Sequence, residues 1–193
     1  MLKSPNNLYS LGFLAESYYR RFKQRRVPSD LDCCIQYFTL ALPHAPIGHP
    51  DVYGILNSLG ICHHQRFHLL GEPDDIDKDI AYKTQAILLD DSDPALSIGL
   101  GRAHQTRFQS LGDSNDLEKC IEYDTRAVSL TANDDPNLPG RLDSLANAHL
   151  LRFQRLDDPI ELDKGINYQT RAASLTPPGH RYFSGRLNNL SSS

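Results

Sequence analysis

Tryptophan is absent from this chain of 193 residues, methionine occurs once, and hydrophobic residues make up only 39%. A thick core of many layers is therefore not expected. No run approaches the roughly 18 consecutive apolar residues of a membrane span. Pro5, Asn6 and Asn7 interrupt the N-terminal stretch where a signal peptide would carry its apolar centre. The expectation is a cytoplasmic chain with no membrane partner. Cys33, Cys34, Cys62 and Cys120 show no C-x2-C spacing, which argues against a zinc site and a disulfide framework. Charge of one sign is not in excess either. Twenty Lys and Arg against 24 Asp and Glu give a net charge of −4, which disfavours a nucleic-acid partner. At roughly 150 residues per domain, one compact domain or one repeat array is expected.

What is present is repetition. Arg-Phe pairs stand at Arg21-Phe22, Arg66-Phe67, Arg107-Phe108 and Arg152-Phe153, spaced by 45, 41 and 45 residues. Leu followed by a small residue recurs in the same register at Ala15, Gly60, Gly101 and Ala146, and again at Leu190-Ser191. A third marker in phase is Ile-x-Tyr, ending at Tyr37, Tyr82, Tyr123 and Tyr168 and followed four residues later by Ala41, Ala86, Ala127 or Ala172. These markers divide the chain into repeats at 8–52, 53–93, 94–138 and 139–183, with a partial fifth at 184–193.

Each repeat reads as two helices. Leu56, Leu59, Phe67 and Leu70 show helical spacing in a first helix, as do Leu117, Cys120, Ile121 and Ala127 in a second. First helices are expected to start at Ser4-Pro5 and Asp93-Pro94 and to stop at Leu70-Gly71 and Leu111-Gly112. Second helices are expected to start at Ser29-Asp30, Asp74-Asp75, Ser114-Asn115 and Asp158-Pro159. No segment sustains period-two alternation, so the fold class is all-α.

These residues resemble the tetratricopeptide repeat (TPR), whose pattern is W-x2-L-G-x2-Y, then A-x3-F and Pro. Leu56, Leu59, Gly60 and His63 keep the first spacing, and Cys34, Asp79, Cys120 and Gly165 fall at the Ala position of the second helix. The following aromatic position holds Phe38, Lys83, Asp124 and Gln169, and the neighbouring tyrosines are expected to take over its packing. From small residue to second-helix Ala position is 19 residues in every repeat, seven more than the family pattern. The first helix is therefore expected to be longer by up to two turns. Such long repeats are similar to TPR arrays of basidiomycete fungi, which often accompany CHAT peptidase domains.

The resemblance implies an α-solenoid of four TPR-like helix pairs with a truncated fifth, acting as a protein-interaction scaffold. Its concave groove would take a peptide or partner helix. Carried over by register, the groove positions are Gly12, Glu16, Tyr19 and Arg20; Asn57, Ile61, His64 and Gln65; Ile98, Arg102, Gln105 and Thr106; and Asp143, Asn147, Leu150 and Leu151. The family's carboxylate clamp is missing in either register, and Glu16 would repel a carboxylate. The resemblance also implies a second role, as a fragment of the sensor arm of a larger CHAT peptidase-like protein.

His64 and His68 have the i, i+4 spacing that places two imidazoles on one metal. No acidic or third ligand follows at helical spacing, and His63 recurs as His104 and His149. The histidines are therefore read as packing, with no metal and no cofactor expected. Arg21, Arg66, Arg107 and Arg152 stand opposite Asp30, Asp75, Asp116 and Glu161, an arrangement expected to bridge helices or adjacent repeats. No nucleophile, base and orienting group share a turn, so no catalytic residue is assigned and no enzyme is expected. The segment Gly185–Leu190 reads as the start of a fifth first helix, and end-to-end self-association through this uncapped repeat is a further expectation.

Overall fold

A computed structural model describes residues 8–46 and 50–177, with Gly179 and Gly185. Among the described residues there are eight α-helices and no strand: α1 (Leu8–Arg25), α2 (Pro28–Ala41), α3 (Pro50–Leu70), α4 (Pro73–Leu89), α5 (Pro94–Leu111), α6 (Ser114–Ser129), α7 (Leu138–Leu156) and α8 (Pro159–Ser174). None is long and apolar enough to cross a membrane. Consecutive helices pack as hairpins, α1 with α2, α3 with α4, α5 with α6 and α7 with α8. The expected start at Ser4-Pro5 and the expected helix at Gly185–Leu190 lie outside the described residues, apart from Gly185 itself.

Local chemistry sets the helix ends. Asp93 caps α5 by accepting the Ala95 backbone N–H at 2.7 Å, and Asp158 caps α8 by accepting that of Ile160 at 3.0 Å. Gly71 and Gly112 close α3 and α5 at φ of 74° and 76°, where a side chain would be strained. Three second helices start earlier than expected. Pro28 and Pro73 begin α2 and α4, because proline's fixed φ and missing N–H suit the first helical position. In α6 the cap is Asp113, which accepts the Asn115 N–H at 2.9 Å. Asp30 and Asp75 thus sit inside the first turn, where the helix dipole favours a carboxylate. Every first helix runs ten residues past its small residue, to Arg25, Leu70, Leu111 or Leu156. Each is the longer member of its pair, which is where the extra residues were expected.

The chain divides into two compact units between Asp91 and Ser92. In the N-terminal unit, Leu11, Ala15 and Phe22 of α1, Leu31, Cys34 and Phe38 of α2, and Ile55, Leu59 and Cys62 of α3 form one core. Cys34 and Cys62 bring their Sγ atoms to 3.0 Å. In the C-terminal unit, Leu138 and Leu142 of α7 meet Ala172 of α8, with Val128 and Tyr168 packed against them.

Candidate functional site

A polar frame recurs in every hairpin. Arg66 grips Asp75 with two donors, Nε at 2.9 Å and Nη2 at 2.7 Å. Arg107 holds Asp116 the same way at 2.9 and 2.6 Å, and Arg152 holds Glu161 at 2.8 and 2.6 Å. Arg21 donates to Asp30 through Nε at 2.9 Å and through Nη2. Planar, two-pronged pairing of this kind is specific to arginine. One arm reaches further: Arg66 Nη1 lies 2.8 Å from Asp32 of α2, and Arg152 Nη1 lies 2.7 Å from Glu118 of α6. The expected ladder therefore bridges both the helices of a hairpin and successive hairpins within a unit.

A histidine completes the frame. Nδ1 of His63, His104 and His149 donates to Asp75, Asp116 and Glu161, each at 2.7 Å. These rings stack on Tyr82, Tyr123 and Tyr168 at centroid distances of 5.6, 5.7 and 5.6 Å. Tyr18 stacks on Tyr37 at 5.5 Å in the first hairpin. Burial pushes the three histidines below their ordinary pKa despite the carboxylate beside each, which favours the neutral ring. Burial pulls the Asp75 and Asp116 carboxyls up, but Arg and His bonds outweigh it and hold both below the usual range. Arg152 holds Glu161 well below its usual range, with Lys164 and His149 adding to it. The tyrosines thus belong to the frame and do not stand in for the aromatic position. Phe38, Lys83, Asp124 and Gln169 all remain buried there.

Three of these four buried side chains are polar. Asp124 is 2% exposed, its Oδ1 has no hydrogen-bond partner, and that oxygen fills the space beside Gly101. Burial raises its pKa to about 7, although Cys120 and Arg102 pull the other way. In the second hairpin Lys83 pairs with Asp79 at 2.6 Å, and Asp79 accepts from His64 Nδ1 at 2.8 Å.

A cleft of about 440 Å³ opens in the N-terminal unit between α1 and α3. Tyr9, Phe13 and Glu16 of α1 face Asp51, Gly54 and Ser58 of α3 across it, with Phe38 among its lining residues. Tyr9 and Phe13 are 71% and 69% exposed. A smaller cleft, lined by Tyr19, Ile61 and Cys62, shares Phe38 and Ser58 with the first. Of the expected groove positions, Gly12 and Glu16 line the larger cleft, and Tyr19 and Ile61 the smaller. Arg20 is exposed, and Asn57 and Gln65 are half-buried. His64 is buried against α4 through Asp79. In the C-terminal unit Arg102 and Asn147 are exposed, and Ile98, Gln105, Asp143 and Leu151 are half-buried. Thr106 is buried, and Leu150 lies over Gly165, where an added Cβ would meet it at 2.8 Å.

Tyr9, Phe13, Asp51, Gly54 and Ser58 were not among the expected site residues. The signal was in the register. The positions equivalent to Tyr9 and Phe13 hold Gly54 and Ser58, then Ala95 and Gly99, then Gly140 and Ser144. Only the first repeat carries aromatics there, and the small residues opposite them leave the cleft open.

No family model and no curated protein matches the chain. Solved structures do. MamA is similar, with a TM-score of 0.62 at 17% identity over 89% of this chain and 80% of its own. A Podospora anserina structure of nearly identical TPR-like repeats gives 0.67 at 14% identity over 99% and 87%. BtubC from P. vanneervenii gives 0.51 at 11% identity over 96% and 80%. At such identities the likeness concerns the fold alone, and the fold is a TPR-like helical repeat.

Proposed function

We propose that this chain is a protein-interaction scaffold that takes a peptide or partner helix into the groove of its N-terminal unit. The observation carrying this reading is the pair Tyr9 and Phe13, left exposed opposite Gly54 and Ser58 with Glu16 and Asp51 alongside. Large aromatics that stand in water beside a cleft supply most of the energy in interfaces of this kind. The acidic flanks suit an apolar side chain accompanied by a lysine or arginine. Arg20, Asn57, Ile61 and Gln65 extend the surface along the unit. Arg102, Gln105, Asp143, Asn147 and Leu150 are proposed to do the same in the C-terminal unit. The repeat boundaries given above, a cytoplasmic location and the absence of catalysis belong to the same reading. The fold shared with other repeat proteins supports it, as do titratable groups that bond one another and pack.

The test is affinity capture with the intact chain and with a Tyr9→Ser, Phe13→Ser variant, both exposed positions that leave the fold untouched. Partners retained by the parent and lost by the variant support the reading. Equal recovery overturns it, and a Tyr19→Ala, Gln105→Ala variant then tests the surface beyond the cleft. The sensor-arm role implied by the resemblance uses the same groove, and a transcript running past Ser193 into a caspase-like fold would establish it.

A further inference from the structure

Set against the recurring frame, the second hairpin holds a polar cluster found in no other. His64, His68, Asp79 and Lys83 correspond to Tyr19, Lys23, Cys34 and Phe38 in the first repeat. They correspond to Gln105, Gln109, Cys120 and Asp124 in the third, and to Leu150, Gln154, Gly165 and Gln169 in the fourth. The cluster is ordered from the inside out. Asp79 is fully buried against Gly60, where any Cβ would come within 2.8 Å of its Oδ1. Its charge is paired with Lys83 at 2.6 Å. Its other oxygen accepts from His64 Nδ1 at 2.8 Å, which fixes the tautomer and makes His64 Nε2 the acceptor nitrogen. That nitrogen meets Nε2 of the exposed His68 at 3.0 Å, with ring centroids 4.6 Å apart.

The two rings share a bent hydrogen bond, and its two distances can be set against those of a chelate. A straight N–H···N bond at this separation, aligned with both ring axes, would hold the ring centres about 5.3 Å apart. Two imidazoles sharing one ion at about 2.05 Å with a right-angle bite place their nitrogens about 2.9 Å apart and their ring centres about 4.5 Å apart. A tetrahedral bite opens these to about 3.3 and 5.2 Å. The bent pair already stands at the spacing of the right-angle bite, that of neighbouring positions in a square-planar or octahedral shell, and closer than the tetrahedral one.

We propose that His64 and His68 chelate one divalent transition ion of tetragonal preference, Cu(II) or Ni(II), with Asp79 as the positioning residue behind His64. Among the described residues no third His, Cys, Asp or Glu joins the pair. The remaining coordination positions are open to water or to a donor brought by a partner. This proposal goes beyond the expectation that His64 and His68 pack and hold no metal. The carboxylate that orients His64 comes from the next helix, fifteen residues on, and is not itself a ligand.

The test uses the full chain without a histidine tag, titrated with Cu(II) or Ni(II) and followed by calorimetry and electron paramagnetic resonance. The expected result is one strong site per chain, with hyperfine splitting from two imidazole nitrogens for Cu(II). His68→Gln, which installs the residue of the third and fourth repeats at an exposed position, should weaken binding at least tenfold and leave at most one nitrogen. Asp79→Asn should weaken it about 10–100-fold. Equal affinity and an unchanged spectrum in His68→Gln overturn the proposal, whatever the fate of the buried Asp79 variant.

Discussion

Replacing Asp124 with Asn should stabilise the protein by an amount that depends on pH in a calculable way. The carboxyl is buried, one oxygen is unpartnered, and its pKa is raised to about 7 from an ordinary 3.8. A carboxyl raised in the folded state opposes folding once ionised, so its penalty is largest above pH 7 and fades as pH falls toward 4. A rise of this size corresponds to about 4 kcal/mol at alkaline pH. Between pH 8 and pH 6 the folded carboxyl gains its proton, so the advantage of the Asn variant should shrink by about 1.4 kcal/mol. Urea unfolding of both proteins at each pH, followed by circular dichroism, gives this double difference. The histidines titrate identically in the two proteins and cancel. A gap between variant and parent that stays constant from pH 8 to pH 6 would refute the reasoning, because it would mean that Asp124 is ionised throughout.

Other tests follow from the frame and the groove. Arg66→Ala strands the buried Asp75 and should cost about 3 kcal/mol, whereas Asp32→Ala at the exposed end of the same arginine should cost under about 0.5 kcal/mol in the same unfolding assay. Gly54→Ala adds a methyl in open space on a helix, so it should raise stability by about 0.5–1 kcal/mol while weakening partner capture. Gly101→Ala would overlap Asp124 Oδ1 and should cost about 1–3 kcal/mol. His63, His104 and His149 have folded pKa values below the unfolded 6.5, so the unfolded chain takes up protons first. Stability should fall from pH 6.5 toward pH 5 by up to about 1.4 kcal/mol per pH unit for each, and His149→Gln should flatten that slope.

The frame was legible because its residues repeat: Arg66 and Asp75 are nine apart, as are Arg107 and Asp116, and the turn between them has constant length. Periodicity likewise revealed the helices and their glycine stops. The cleft was harder to see, since it depends on a departure from the repeat. Tyr9 and Phe13 replace small residues in a single copy, and only packing shows that α3 faces them with Gly54 and Ser58. The Asp79 side of the His64 pair was hidden for a different reason. Helical spacing reports neighbours on one helix, and this carboxylate arrives from the next.

The Arg, His, acid and Tyr set has a consequence for how such a chain lengthens. In the second to fourth hairpins all four members lie within one hairpin, as from His63 to Tyr82 or from His149 to Tyr168. A duplicated hairpin therefore brings its own counter-ions, and no carboxylate of the set waits on a neighbour for neutralisation. Copy number is free to drift by whole hairpins, whereas a break inside one would leave an aspartate or glutamate in the core without its arginine.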